Sequence, residues 1–426
     1  MKKHECRHAR AVAAYVGGEL PLKDYREFEE HLAGCECCRV AVDDVRRVVS
    51  LLKAAPVRPV DCDLAPGVLA RLGTARRGLD SGWWRGLAAA AGLAVLLGGV
   101  WWVHRAGGAG RSPSVECAGL ANPAEAAAEW LCATQEADGS WSTERWGGRS
   151  QFEVALTGLA LMALLEAREP SGPVQAAIER ATDYLVSRQD AIGRLGPVFD
   201  GEPYNQGIAT LALARAFQLR PTESLRGVLG LAVRRISERQ HGDGGWGYEK
   251  SADESSNLSI SLWQIEALRL AESLGWTSAG ESVGRGLKWM TRMVADNGVF
   301  GYRRKGDFPE GNQTLTAMGA VSLFDGAHAA LLSPERARAV QMQVRKLAAT
   351  GGPDMDYYRR YFLAAALRKM SEESTSGTLA SIRRDLVARQ VDAGAERGSW
   401  PADDRWSAAG GRVYATALAA LSLKIN

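Results

Sequence analysis

The sequence predicts an all-α chain of three parts: a small helical metal-binding unit, a single transmembrane helix and a six-repeat (α/α)6 toroid. Three observations predict it. His31, Cys35 and Cys38 follow an H-x3-C-x2-C spacing, with Cys6 upstream. Residues 86–103 are 18 consecutive residues without a charge. Beyond residue 123, turns that place an aromatic beside glycines recur every 45 to 55 residues.

The first element is the cysteine-rich segment. One imidazole and three thiolates make a closed tetrahedral zinc shell, which leaves no open position for chemistry. Three ligands on one helix-turn segment and one from a preceding helix converge on a single ion. A short helical segment buries little core, and it takes folding free energy from the metal. The spacing assigns Cys6, His31, Cys35 and Cys38 to structural zinc, with His4 and His8 as alternative donors for the fourth position. Without metal, the segment reads as a small helical domain with reduced thiols.

From Cys6 to about Leu52, including AAYVGGELPLKDYREFEEHLAGCECC, the chain resembles the bacterial zinc-binding anti-sigma domain with a His-Cys-Cys signature. It departs in having Val16 and Gly17 after Tyr15, where that family usually has Leu-Asp, and in the extra thiol of Cys37. The resemblance implies a partner, an extracytoplasmic-function sigma factor, held by residues 1–53.

Composition limits the alternatives. The chain has 426 residues, enough for two or three units, and its 46% hydrophobic content suits globular cores. Residues 1–85 carry 15 Lys and Arg against 12 Asp and Glu, so the whole net charge of +3 sits there. That excess is too small to argue for direct nucleic-acid binding. Five of the seven Cys precede residue 63 and none follows Cys132, which is no disulfide scaffold.

Residues 54–85 read as a cytoplasmic linker containing Pro56, Pro59 and Pro66. The run at 86–103 would be about 27 Å long as a helix, enough for a hydrocarbon core. Trp83 and Trp84 precede it, and Trp101 and Trp102 close it, as an aromatic belt at each interface requires. Arg71, Arg76, Arg77 and Arg85 precede the run, against Arg105 and Arg111 after it. This bias places the N-terminus in the cytoplasm and the C-terminal part outside the inner membrane. Residues 104–122 are rich in Gly and Ser and read as a flexible tether. Cys117 and Cys132 would then lie outside, paired or as free thiols.

Residues 123–426 carry the repeats. The turns QEADGSW, RQHGDGGWGY, ADNGVFGY and RQVDAGAERGSW place Trp141, Trp246, Phe300 and Trp400 in phase. A weaker copy, RQDAIGRLGP, has Leu195 at the aromatic position, and the slot near Met355 has lost the signature. Amphipathic helices are predicted before the turns, at 123–134, 174–189, 225–240, 279–294, 333–350 and 376–390. More apolar helices are predicted after them, at 152–167, 204–219, 257–274, 312–327, 356–370 and 412–425. Thr157, Ser261, Thr316 and Thr416 each stand seven residues before a Leu, so both lie on one stripe and permit close packing. Six charged-faced helices outside six apolar ones describe an α/α toroid.

WLCATQEADGSW and RRISERQHGDGGWGY resemble the repeats of the squalene-hopene cyclase and prenyltransferase-β superfamily, over about 300 residues. The resemblance implies that Gln135, Gln189, Gln240 and Gln390 tether outer-helix ends while the Trp stacks over the turn. These roles are structural and argue for fold, not catalysis.

The chemistry of that superfamily is absent from this sequence. There is no D-x-D-D acid; the nearest fragments are Asp354–Asp356 and Asp403–Asp404. No Cys follows Cys132, so the Asp, Cys and His zinc set of protein prenyltransferases is missing. A Ser-His-Asp system would have to use His241 or His328. Paired-carboxylate chemistry on a glycan has Glu153, Asp253, Asp356, Asp403 and Asp404 as candidates. Binding is the stronger expectation: Trp146, Tyr204, Asn205, Trp263, Gln313, Tyr358, Trp406 and Arg412 lie where turns enter the apolar helices. Aromatics with amides and an Arg suit a small molecule, a glycan or a peptide; the same residues also serve as helix caps and core. The sequence therefore reads as a membrane-anchored anti-sigma-type regulator with an external sensor. The alternatives are an envelope-anchored cyclase-like or glycan-acting enzyme, and a structural adaptor across the membrane.

Overall fold

A computed structural model describes Cys6, His8, Ala11, Val12, Tyr15, Phe28, His31, Leu32, residues 34–54 and most of 122–424; within the latter, 168–171, 200, 249–255, 308–311, 325–330, 351–354 and 371–375 lie outside the described residues. The chain divides into two compact units, Met1–Ser112 and Pro113–Asn426. The predicted span at 86–103, its linker and its tether to residue 121 also lie outside the described residues. Among the described residues, no helix is long and apolar enough to cross a membrane.

In the N-terminal unit, helix α1 spans Glu36–Ala54. Among the described residues, its first turns bury Cys38 and Val42 against Val12, Tyr15 and Phe28.

The C-terminal unit contains twelve described helices in six pairs. The outer set is α2 (Pro123–Thr134), α4 (Pro173–Ser187), α6 (Glu223–Glu238), α8 (Ala279–Thr291), α10 (Pro334–Thr350) and α12 (Ser376–Arg389). The inner set is α3 (Glu153–Leu165), α5 (Glu202–Leu219), α7 (Leu258–Ser273), α9 (Asn312–Leu323), α11 (Tyr357–Met370) and α13 (Ser407–Lys424). Each inner helix packs on the next, and α13 packs back on α3, so the inner helices close a ring. Each outer helix lies against its own inner helix and a neighbouring one.

The two sets differ as their sequences require. Helix α3 is buried without a break from Val154 to Leu164. Helix α6 buries only Leu225, Leu229, Ala232, Val233 and Ile236, a single stripe at helical spacing. The last inner helix begins earlier than the periodicity indicates, at Ser407, because it continues through a kink at Gly411 (φ 63°).

The turns hold the rings together. The Gln135 amide donates to the Ala177 carbonyl of the next outer helix at 2.9 Å, and Gln189 and Gln240 repeat this toward Val228 and Ser282. The indoles of Trp141, Trp246 and Trp400 donate to Leu131, Ile236 and Leu386 of their own outer helices at 2.7–2.9 Å. The hydroxyls of Thr157, Ser261, Thr316 and Thr416 accept the backbone N–H of the turn aromatic at 2.9–3.3 Å. These four residues therefore do more than permit close packing: each satisfies a buried donor.

Candidate functional site

The N-terminal unit brings together the four residues that the spacing selects. One donor atom each from Cys6, His31, Cys35 and Cys38 lies within 4.8 Å of all the others. His31 Nε2 is 3.1 Å from Cys6 Sγ and 3.3 Å from Cys38 Sγ. Ligands of a tetrahedral zinc stand about 3.5–3.8 Å apart, given Zn–S near 2.3 Å and Zn–N near 2.0 Å. The donor set and its dimensions fit a metal ion. His8, an alternative fourth donor by sequence, instead packs its ring on His31 at 4.2 Å and is outside the group. His4 lies outside the described residues. A hydrogen bond to the Cys38 backbone lowers the Cys35 thiol, whereas burial pushes the Cys38 thiol up to about 12. Cys37 is exposed and takes no part.

In the C-terminal unit, the N-terminal halves of the inner helices and the turns before them carry a girdle of aromatics. Trp263 of α7 is 1% exposed, and its indole N–H donates to the Tyr358 hydroxyl of α11. Tyr358 also packs on Phe362, Trp406 and Tyr414 at ring distances of 4.9, 6.4 and 6.5 Å. Across the ring, the Tyr204 hydroxyl of α5 is 2.8 Å from Ser259 Oγ, and the Tyr204 ring packs on Tyr248 at 6.4 Å. The hydroxyls of Tyr248 and Tyr302 are 3.2 Å apart. Burial holds the Tyr204 and Tyr358 phenols above the usual range, so they are hydroxyl donors at neutral pH.

Two carboxyls stand beside this girdle. Asp404 is buried; it accepts the N–H groups of Tyr357 and Trp406 and the hydroxyls of Ser407 and Tyr414, all within 2.7–3.1 Å. Burial raises its pKa, and the charge of Asp356 raises it further. Asp356 accepts the Arg359 N–H at 2.8 Å, as a helix cap does. Both acids therefore have capping work, and Asp404 has four donors for its two oxygens.

The structure divides the predicted ligand residues. Tyr204, Trp263, Tyr358 and Trp406 join the girdle. Trp146 packs edge-on against Trp130 at 5.0 Å, next to the closure of the ring. Gln313 is exposed and accepts from Arg359 at 2.7 Å. Asn205 is not a surface group: it is fully buried, accepts the Ala155 N–H and donates to the Gln151 carbonyl, both at 2.9 Å. Arg412 turns away from the girdle to Ser399 at 3.0 Å and Glu396 at 2.8 Å. Among the acid candidates, Glu153 accepts the Tyr184 hydroxyl at 2.7 Å, Asp403 pairs with Arg389, and Asp253 lies outside the described residues.

His241 is buried in the third turn. Ser256 Oγ bridges His241 Nδ1 at 3.1 Å and Asp243 at 2.6 Å, with the serine donating to the carboxylate. A nucleophilic triad needs the imidazole between serine and acid. The order here is wrong for that chemistry, and the group fastens the turn.

The ring of helix pairs has solved counterparts. An α-amylase from Clostridium perfringens matches at a TM-score of 0.52 and 9% identity, covering 71% of this chain and 97% of that chain. The GH76A α-1,6-mannanase from Salegentibacter sp. HEL1_6 matches at 0.50 and 11%, over 71% and 97%. The type II terpene cyclase MstE from Scytonema matches at 0.46 and 15%, also over 71% and 97%. At these identities the likeness to the first two is one of fold. No protein-family model and no curated protein matches the sequence.

Proposed function

We propose that the chain is an anti-sigma-type regulator. Its N-terminal unit, folded around structural zinc, holds an extracytoplasmic-function sigma factor. The toroid is a ligand-binding sensor placed outside the cytoplasmic membrane by a span at 86–103. The observation that carries this reading is the convergence of Cys6, His31, Cys35 and Cys38. Three thiolates and one imidazole give zinc four ligands and no open position, so the unit is built to fold and bind rather than to react. In the toroid, Trp263, Tyr358, Tyr204 and Trp406 supply apolar area, with phenol and hydroxyl groups to orient a ligand.

The test is co-purification of the full-length protein from its native membrane, followed by mass spectrometry. A sigma factor at near-equal stoichiometry, lost in a Cys35→Ser variant, supports the reading. Recovery without a sigma factor, with unchanged transcription on deletion, rejects it.

A second reading is favoured by Asp404 and Asp356. A buried carboxyl with a raised pKa beside a second carboxyl, in an aromatic setting, is how an acid catalyst is kept protonated. The toroid would then be a glycan-acting or cyclase-like enzyme. Reducing sugar released from α-1,6-mannan or starch, or a cyclised polyprenyl product, would support it if Asp404→Asn abolished turnover without unfolding. No turnover of any of these substrates leaves the sensor reading.

A further inference from the structure

In the second repeat the turn aromatic is replaced by an aliphatic: Leu195 stands where Trp141, Trp246, Phe300 and Trp400 stand in their repeats. Leu195 keeps the buried place and gives its N–H to Gln206 at 2.9 Å, but it has no side-chain donor for the end of α4. Beside this turn lies a cleft of about 520 Å³. It lies between the start of α3, the end of α4 and the turn itself, and is lined by Ser150, Glu153, Tyr184, Arg188, Gln189 and Asp190. The volume falls within the usual range for small-molecule sites.

The polar groups here alternate and balance. The Tyr184 hydroxyl donates to Glu153 Oε1 at 2.7 Å, and the Arg188 guanidinium lies 4.5 Å from the Tyr184 ring centre. Asp190 is neutralised by Arg194 at 2.8 Å. The lining thus presents a carboxylate that still has a second oxygen, a guanidinium with five N–H groups and hydroxyls, with no excess of either charge, while the Gln189 amide is held by its bond to the Val228 carbonyl. Arg188 has Asp138 at 3.7 Å as its ion-pair partner, and both side chains are about half exposed, so that pair is weak. Pro197 is part of the lining.

We infer that this cleft is a binding site for a neutral saccharide, separate from the aromatic girdle. Each sugar hydroxyl is both donor and acceptor, so a lining that combines carboxylate, guanidinium and hydroxyl satisfies adjacent hydroxyls in pairs. Pro197 offers the apolar contact that the C–H face of a pyranose needs. A strongly charged ligand would meet the opposite charge and its like within the same few ångströms. The site does not depend on whether the girdle binds anything, nor on the sigma-factor reading.

The test is isothermal titration of the full-length protein with maltose, cellobiose and N,N′-diacetylchitobiose, and with digalacturonate as the charged comparison. At least one neutral disaccharide should bind. Arg188→Gln should weaken it by about fivefold or more, and Tyr184→Phe should weaken it measurably, each loss corresponding to about one hydrogen bond. Both variants should melt with the parent protein, and Tyr358→Leu in the girdle should leave affinity unchanged. Binding by none of the three, or undiminished binding by both cleft variants, overturns the site. Tighter binding of digalacturonate overturns the ligand class. Loss of binding in Tyr358→Leu alone moves the saccharide to the girdle and overturns the cleft, while supporting the girdle as a ligand surface.

Discussion

The side-chain amide of Gln390 donates to the backbone carbonyl of Pro123 at 2.8 Å, joining residues 267 apart in the sequence. The same amide group donates to Gly398 of its own turn at 2.8 Å. Gln390 thus does for the last turn what Gln135, Gln189 and Gln240 do for theirs, except that its target is the first helix of the unit. Around it, Gly148 pairs with Gly410, and Arg412 donates its N–H to the Trp146 carbonyl at 2.8 Å. The ring closes through these few polar contacts and the packing of α13 on α2 and α3.

Gln390→Ala should therefore destabilise the toroid by roughly 1–3 kcal/mol, since it leaves two backbone acceptors without their donor. Differential scanning calorimetry measures this. Gln313→Ala, which removes an exposed side chain, should stay within about 0.5 kcal/mol of the parent. Equal melting of the two variants would show that the Gln390 bridge contributes nothing.

Gly398 has φ 92°, and a Cβ there would stand 2.2 Å from the Ala126 carbonyl oxygen of α2. Gly394, in the same turn, has φ 75° but nothing within 4 Å of such a Cβ. Gly394→Ala should cost on the order of 1 kcal/mol through backbone strain alone. Gly398→Ala should cost clearly more, because backbone must move. Urea unfolding of both variants gives the difference directly.

Full-length protein purified without chelator should carry one zinc per chain by elemental analysis. Cys35→Ser should lose it and Cys37→Ser should keep it. Metal affinity should fall as pH falls. Each thiol must give up a proton to bind, and burial, with the neighbouring Cys6 and Cys35, holds the Cys38 thiol at about 12 before any metal arrives. Release to a chromogenic chelator across a pH series measures this. Release that is independent of pH would exclude thiolate ligation.

Asp404 is expected to make stability depend on pH in the sense opposite to a salt-bridged carboxylate. Its folded pKa lies above the usual carboxylate value, chiefly through burial. Its contribution is therefore fully present below the unfolded pKa of about 4 and is lost as pH rises through the folded value. Melting temperature should fall more steeply over that window in the parent than in Asp404→Asn. Parallel curves would show that the carboxyl is ionised without penalty.

The sequence by itself determined the helices, the repeat and three of the four candidate metal donors, because each is written in short-range spacing. Apolar stripes at helical period separate outer from inner helices. The turn signature marks where they join. The H-x3-C-x2-C spacing puts three donors on one local segment. The sequence also held a signal for the girdle that the aromatic turn pattern alone did not expose: Trp246-Gly-Tyr248 and Phe300-Gly-Tyr302 repeat a tyrosine two residues past the turn aromatic.

Which side chains face the ring was decided only by tertiary structure. Tyr204 and Asn205 are adjacent and equally polar in character, yet one joins the girdle and the other locks the start of α3. Successive helical residues differ by about 100° in direction, and on a helix buried all round the sequence gives no polar face to fix the phase. Arg412 likewise found Glu396 and Ser399 because the kink at Gly411 re-aims the start of α13. The fourth candidate metal donor was decided in the same way. His8 and Cys6 were both within reach by sequence, and packing of the His8 ring on His31 left the position to Cys6.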